Sequence, residues 1–176
     1  FIVCPLIDGS ETIQTRAATE EYARLSSQVF PEYSMGLLHG RLSLDEKNIV
    51  MNRFKEGDLD ILVSTPVIEV GIDVPNATVM LIDGADRFGL AQLHQFRGRV
   101  GRGIHQSYCI LLSDNAGEEA QERLKLVERI QDGFELAESD LNLRGPGDYL
   151  GTGTRQSGLP PLKIAKITDH EVVTIA

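Results

Sequence analysis

The sequence predicts an α/β fold, a mostly parallel sheet with helices on both faces. Three observations carry this. Short apolar runs recur over residues 1–6, 34–39, 60–64, 78–83 and 106–112, each of a length that suits a strand buried on both faces. Helical periods separate most of them, as parallel strands joined by crossovers require. Capping residues, glycines and prolines punctuate the joints.

The elements follow in order. Residues 1–6 form the first strand, and Asp8, Gly9 and Ser10 a loop. From about residue 15 to 29, Ala18, Tyr22, Leu25 and Val29 recur at a helical period that Pro31 ends. Residues 34–39 form the second strand. Ser43 and Glu46 are spaced as a capping box, with Ser43 as N-cap and Glu46 at N3. That helix runs through Val50 and Phe54 and stops at Gly57. The third and fourth strands follow over 60–64 and 78–83. A helix drawn over 92–103 places Gln95, Arg99 and Arg102 at i, i+4 and i+7, on one face. Leu93, Phe96 and Val100 fall on the opposite, buried side. Gly98 and Gly101 lie beside the polar stripe and weaken a helix by ~1 kcal/mol each relative to Ala. Their missing Cβ atoms would let another backbone or a bulky ligand approach the arginines. The fifth strand is 106–112.

After Asp114 the pattern changes. Ala120, Leu124, Val127 and Ile130 share one side of a helix over 118–131. Asp132 and Gly133 break it, and Phe134, Ala137 and Leu141 continue on a second helix, giving a helical hairpin appended to the sheet. A glycine-dense loop runs from Arg144 to Gly158. The chain therefore divides into a sheet domain at 1–114, a hairpin and loop at 115–158, and a tail at 159–176.

At 176 residues there is room for one well-formed core and an appendage. Apolar residues make up 41%, with no run near the ~20 that a membrane span needs. The chain opens on Phe1, inside a strand, with no charged-then-apolar signal, and reads as a piece of a longer protein. Its net charge of −9 argues against coating nucleic acid by bulk electrostatics. It leaves room for a local basic strip, or for phosphate contacts from hydroxyls and backbone N–H groups. Cys4 and Cys109 sit in apolar runs without a Cys-x-x-Cys pattern, as buried thiols of a reducing compartment do. With four His and two Cys, no metal constellation can be assembled.

Three stretches carry candidate chemistry. Two guanidiniums, Arg99 and Arg102, beside the Gln95 amide suit a polyphosphate, because the planar fork matches phosphate oxygens; the plain alternative is a solvated basic helix end. In residues 64–75, the Ser64 and Thr65 hydroxyls can donate to phosphate, Gly71 permits close backbone approach, and Asp73 can accept from a ribose hydroxyl. By itself that stretch is also a simple strand-loop-strand connection. His39, Gly40 and Arg41 end the second strand, where a lone His is usually structural.

The spacing Gln-x-x-Gly-Arg-x-Gly-Arg over 95–102 resembles the last helicase motif of superfamily 2 nucleic-acid motors. The resemblance implies a RecA-like lobe that presents an arginine finger, Arg102, to ATP held by a partner lobe. Arg99 would be its companion and Gln95 a γ-phosphate contact. Residues 64–75 resemble the fifth motif of these motors, which implies that Ser64 and Thr65 touch the nucleic-acid backbone while Gly71 and Asp73 face the nucleotide. His39, Gly40 and Arg41 fall at a backbone-contacting motif. Residues 132–147, with Gly-Thr-Arg-Gln-Ser-Gly at 153–158, resemble the translocation motif of the RecG branched-DNA helicases, as do residues 87–91 and 107–109. Transcription-repair coupling factors have a related hairpin, with Ala expected where Pro146 stands. The likeness covers nearly the whole chain. It departs at Pro66, where Thr is expected, in a loop two residues longer at 151–154, and after Leu159.

The resemblance implies an ATP-dependent double-strand DNA translocase that remodels forks and four-way junctions. The hairpin, Arg144 and Gln156 would convert cleft motion into a pull on DNA. The sequence has no phosphate loop and no Asp-Glu pair after a strand. ATP and Mg²⁺ would thus be held mainly by a first RecA-like lobe outside this chain. The implied partners are branched double-stranded DNA, that lobe and a DNA-binding wedge domain of the same polypeptide, in the bacterial cytoplasm at the nucleoid, with no membrane. The alternatives are a non-catalytic RecA-like module that binds nucleic acid or a partner, which would have no need of Gln95, Arg99 and Arg102 together, and the equivalent lobe of a transcription-repair coupling factor.

Overall fold

In the computed structural model, residues 1–5, 11–66, 74–114 and 117–144 are described. Among them, five parallel strands form one sheet in the order β2-β3-β1-β4-β5. The strands are β1 (Ile2–Val3), β2 (Met35–Leu38), β3 (Ile61–Ser64), β4 (Val79–Ile82) and β5 (Tyr108–Leu111). All five lie within the predicted runs. β1 is shorter than expected, although Cys4 N–H still donates to the Ser64 carbonyl at 2.8 Å. Pro5, having no N–H, cannot extend the ladder.

Helices cover both faces, as predicted. α1 (Glu11–Arg24) and the π-helical turn Leu25–Val29 lie on one. There Ala18 and Leu25 pack with Cys4 and Val63. Burial pushes the Cys4 thiol up to about 12, helped by the charges of Glu21 and Asp83, so it stays protonated. On the other face lie α2 (Leu44–Glu56), α3 (Leu90–Arg97), α4 (Glu118–Arg129) and α5 (Gly133–Arg144). Their buried side chains, from Met51 and Phe54 to Leu93, Phe96, Val127 and Leu136, join Val3, Leu62, Met80 and Ile82 in one apolar cluster. The hairpin helices share this core with the sheet.

α2 starts as its sequence predicts. The Ser43 hydroxyl accepts from Glu46 N–H, and the Glu46 carboxylate accepts from Ser43 N–H at 2.8 Å. The Ser43 hydroxyl and then its backbone N–H hold the Glu46 carboxyl below the usual range. Gly57 closes the helix in the left-handed conformation. Ser43→Ala is expected to cost about 1 kcal/mol of stability. It should lower the urea midpoint with an unchanged slope; an unmoved midpoint would show the cap to be energetically idle.

Two helical expectations are corrected. α3 does not reach Gly103. It ends at Arg97, Gly98 caps it, and Arg99 and Arg102 lie in the turn beyond. Gly101 has φ +81°, which an L side chain adopts only with strain, so the helix cannot continue through it. The shared helical face of Gln95, Arg99 and Arg102 therefore does not exist. In α5 the predicted stripe is out of phase: Phe134 is 91% exposed and Ala137 is exposed, while Leu136 and Asp140 are buried. The Asp132 carboxylate caps α5 by accepting from Phe134 and Glu135 N–H. Leu136 then turns into the core, and Asp140, one turn on, faces Arg123 across 3.9 Å.

Candidate functional site

The parallel topology sorts the candidate residues onto two edges of the sheet. His39–Arg41 follow β2 and Ser64–Thr65 end and follow β3, so both groups lie at the carboxyl edge. They are adjacent there, because Thr65 N–H donates to the Leu38 carbonyl at 3.1 Å. The arginine turn leads into β5, and Val74–Thr78 lead into β4. Those two segments meet at the amino edge, where Tyr108 N–H donates to the Thr78 carbonyl at 2.8 Å.

At the amino edge the turn is built from α3 outward. Phe96 anchors the helix, fully buried and edge-on to Phe88 with ring centroids 5.5 Å apart. Gly98 N–H donates to the His94 carbonyl at 3.0 Å and Arg99 N–H to the Phe96 carbonyl at 2.9 Å. Arg102 then folds back, its Nε donating to the Gly98 carbonyl at 2.9 Å. A cation suits this position, because helix C-termini carry partial negative charge. Gln95 and Arg102 are exposed and Arg99 is half-buried.

Gly103 fixes the far end of the turn. A Cβ there would lie 2.3 Å from the Pro75 carbonyl oxygen, so only glycine allows this approach. The end of the arginine turn is thus pressed against the end of the 64–75 stretch. Gly98 has no such demand, since a Cβ there meets nothing of this chain nearer than 3.5 Å.

At the carboxyl edge, Arg41 is exposed and His39 half-buried. The Gly40 carbonyl accepts from Lys47 Nζ at 2.9 Å, which ties the turn to α2. Ser64 and Thr65 are buried, and the Ser64 hydroxyl donates to the Thr65 carbonyl at 2.6 Å. A phosphate contact from Ser64 would require that hydroxyl to turn. Gly71, Asp73 and Gln156 lie outside the described residues, as do the loop and tail after Arg144. Among the described residues, no group of three His, Cys, Asp or Glu side chains is placed to hold a metal ion. No described helix is long and apolar enough to cross a membrane.

The sequence reading missed the residues that tie the hairpin to this site. Arg97, at the end of α3, donates to the carbonyls of Val127, Ile130 and Gln131 at the end of α4. Arg123 of α4 donates to the carbonyls of Asp86 and Phe88, before α3. A basic residue in the last turn of α3 was the available signal for Arg97.

Residues 3–103 match the helicase conserved C-terminal domain, and residues 130–175 match the C-terminal part of domain 3 of the ATP-dependent DNA helicase RecG. The chain is 52% identical over 177 residues to the ATP-dependent DNA helicase RecG of Synechocystis, covering all of this chain and 21% of that protein. It is 55% identical over 167 residues to that of Thermotoga maritima, covering 95% and 21%. It is 52% identical over 165 residues to that of Bacillus subtilis, covering 94% and 24%. The chain thus spans about a fifth to a quarter of the length of these curated relatives. A solved structure of RecG bound to a three-way DNA junction superposes with a TM-score of 0.68 at 56% identity, covering 85% of this chain and 19% of that one. The yeast Dbp5 bound to RNA and ADP BeF3 superposes at 0.54 and 18% identity, covering 81% and 37%, a likeness of fold. The chain belongs to the helicase conserved C-terminal domain family, and its similarity within that family is to RecG.

Proposed function

We propose that this chain is the second motor lobe of an ATP-driven translocase that remodels branched double-stranded DNA. The observation that carries the reading is the arginine turn, held by Gly101 and by the contact of Gly103 with Pro75, at the edge opposite the candidate DNA contacts. A lobe that binds nucleotide on one edge and nucleic acid on the other can pass motion between them. The RecG solved on a three-way junction supports the substrate class.

In this reading Arg102 stabilises charge on the transferring phosphoryl group, with Arg99 beside it and Gln95 toward the γ-phosphate. The resemblance to the fifth motif assigns Gly71 and Asp73 to nucleotide contact. His39, Gly40, Arg41, Ser64 and Thr65 meet the DNA backbone. Arg144 and Gln156 couple the lobe to duplex movement. Mg²⁺ and ATP would be held mainly by a first lobe, where the metal would supply charge neutralisation. Its carboxylates and the phosphate-cradling Lys belong to a first lobe, so this chain alone completes no site for hydrolysis. Residues 1–114 form the lobe proper and 115–158 its coupling hairpin and loop.

The test compares this chain alone with the full-length polypeptide that carries it, each given Mg-ATP and a three-way junction. Expected are junction-stimulated hydrolysis by the full-length protein and none by the isolated chain. Turnover by the isolated chain that survives repurification would overturn the division of labour. A folded full-length protein that neither binds the junction nor hydrolyses ATP would overturn the reading itself.

A further inference from the structure

β5 carries apolar side chains on both of its faces, as expected of a strand buried on both sides. The structure covers one face. Cys109 and Leu111 pack, with Leu124 of α4, against the main apolar cluster. Tyr108, Ile110 and Leu112 alternate onto the other face and are 59%, 41% and 43% exposed. The parallel register sets Val79 beside Tyr108 and Leu81 beside Ile110, and Val79 is exposed as well. On this side α1 packs over β2 and β3. Among the described residues, β4 and β5 therefore lie open there.

Parallel strands are found covered on both faces, so a bare apolar strip on two of them calls for a cover. The sheet edge adds to the demand. β5 ends the strand order. Tyr108 and Leu112 N–H donate inward, to the Thr78 and Ile82 carbonyls, so the N–H groups of Cys109 and Leu111 point outward. The strand has none of the lysines or prolines that guard an exposed edge. A contiguous strip of this kind marks an interaction surface, where one exposed Ile or Tyr would not.

The chain itself supplies a segment that suits this face. Residues 159–176 lie outside the described residues, and their sequence carries Leu162, Ile164, Ile167, Val172, Val173 and Ile175. Burying such side chains is favourable by roughly 25 cal/mol per Å². The match to the C-terminal part of RecG domain 3 runs from residue 130, at the end of α4, to residue 175, which ties the tail to the same domain as the hairpin. Residues 145–158 span up to roughly 45 Å when extended, enough to bring the tail back to the sheet. We propose that residues 159–176 dock on the face formed by Val79, Leu81, Tyr108, Ile110 and Leu112, closing the open side of β4 and β5. This packing does not depend on the motor reading.

The test uses the full-length protein and alkylation of introduced thiols, read position by position by mass spectrometry. Ile110→Cys is compared with Phe134→Cys, at a side chain 91% exposed, both in a Cys109→Ser background. Ile110→Cys is expected to react slower by about tenfold or more, since a thiol under a docked segment reacts when the segment opens. Adding Ile164→Asp and Ile167→Asp puts charges into the apolar contact. Labelling at position 110 should then rise to the Phe134→Cys rate while the buried Cys4 stays unlabelled. If Cys4 reacts too, the pair has unfolded the lobe, and disulfide trapping decides instead. Ile110→Cys is then combined with single cysteines placed across 162–175 under mild oxidation. A bridge at one or more positions supports the docking, and no bridge at any of them overturns it. Labelling of Ile110→Cys as fast as that of Phe134→Cys, with the tail intact, would also overturn it. So would protection that survives the tail substitutions, which places another part of the polypeptide on the face. Protection lost on dilution would place a second copy there, and protection seen only with junction DNA would place the nucleic acid there; either result rejects the tail.

Discussion

Arg102→Ala in the full-length protein is expected, on the proposed motor reading, to lower DNA-stimulated ATP hydrolysis by roughly 10³–10⁵, the contribution of an arginine that meets a transferring phosphoryl group. Nucleotide binding should persist, because in the proposed reading the phosphate cradle lies on a first lobe. The fold should persist too, because Arg102 is exposed and lies in the turn beyond α3, outside the apolar core. Arg102→Lys should not restore the rate, since an ammonium lacks the planar, bidentate fork. The measurement is kcat and nucleotide affinity for the three proteins at equal melting temperature. Retention of more than about a tenth of the wild-type rate would remove Arg102 from the role, because a single decade is only ~1.4 kcal/mol.

The strands and α2 were legible because local signals agreed. Apolar runs placed all five strands, and Ser43, Glu46 and Gly57 marked both ends of α2. The end of α3 was harder to read, because the spacing of Gln95, Arg99 and Arg102 satisfies a helical period that the backbone does not follow. Gly98 and Gly101 carried the correct signal, a helix stop, but were weighed as room for a ligand. In α5 the choice of phase turned on Asp140. A carboxylate counts as polar in any periodicity, so its burial opposite Arg123 could not be read from α5 alone. The arginine turn and the His39–Thr65 group proved to lie on opposite edges. That fact depends on strand direction and order, which periodicity does not contain. Ser64 shows the same limit at one side chain: periodicity does not contain the bond from its hydroxyl to the Thr65 carbonyl.

Gly103 fixes the end of the arginine turn at the amino edge, and on the proposed reading Gly103→Ala is expected to cost about as much as a misplacement of 1 Å at a reacting centre, roughly 10² in kcat. A new Cβ would lie 2.3 Å from the Pro75 oxygen. That oxygen is backbone, held in the segment that leads from Val74 to β4, and Val74 and Ala77 on either side are buried. It cannot swing aside as a flexible side chain would, so the displacement falls on the arginine turn. Gly103 itself is exposed, outside any strand or helix, and the melting temperature should move little. Junction binding should also hold, because His39, Gly40, Arg41, Ser64 and Thr65 sit at the other edge of the sheet. Loss of hydrolysis with binding and stability retained separates a displaced turn from a damaged fold. If Gly103→Ala hydrolysed ATP at the wild-type rate, the contact with Pro75 would have no part in placing Arg102.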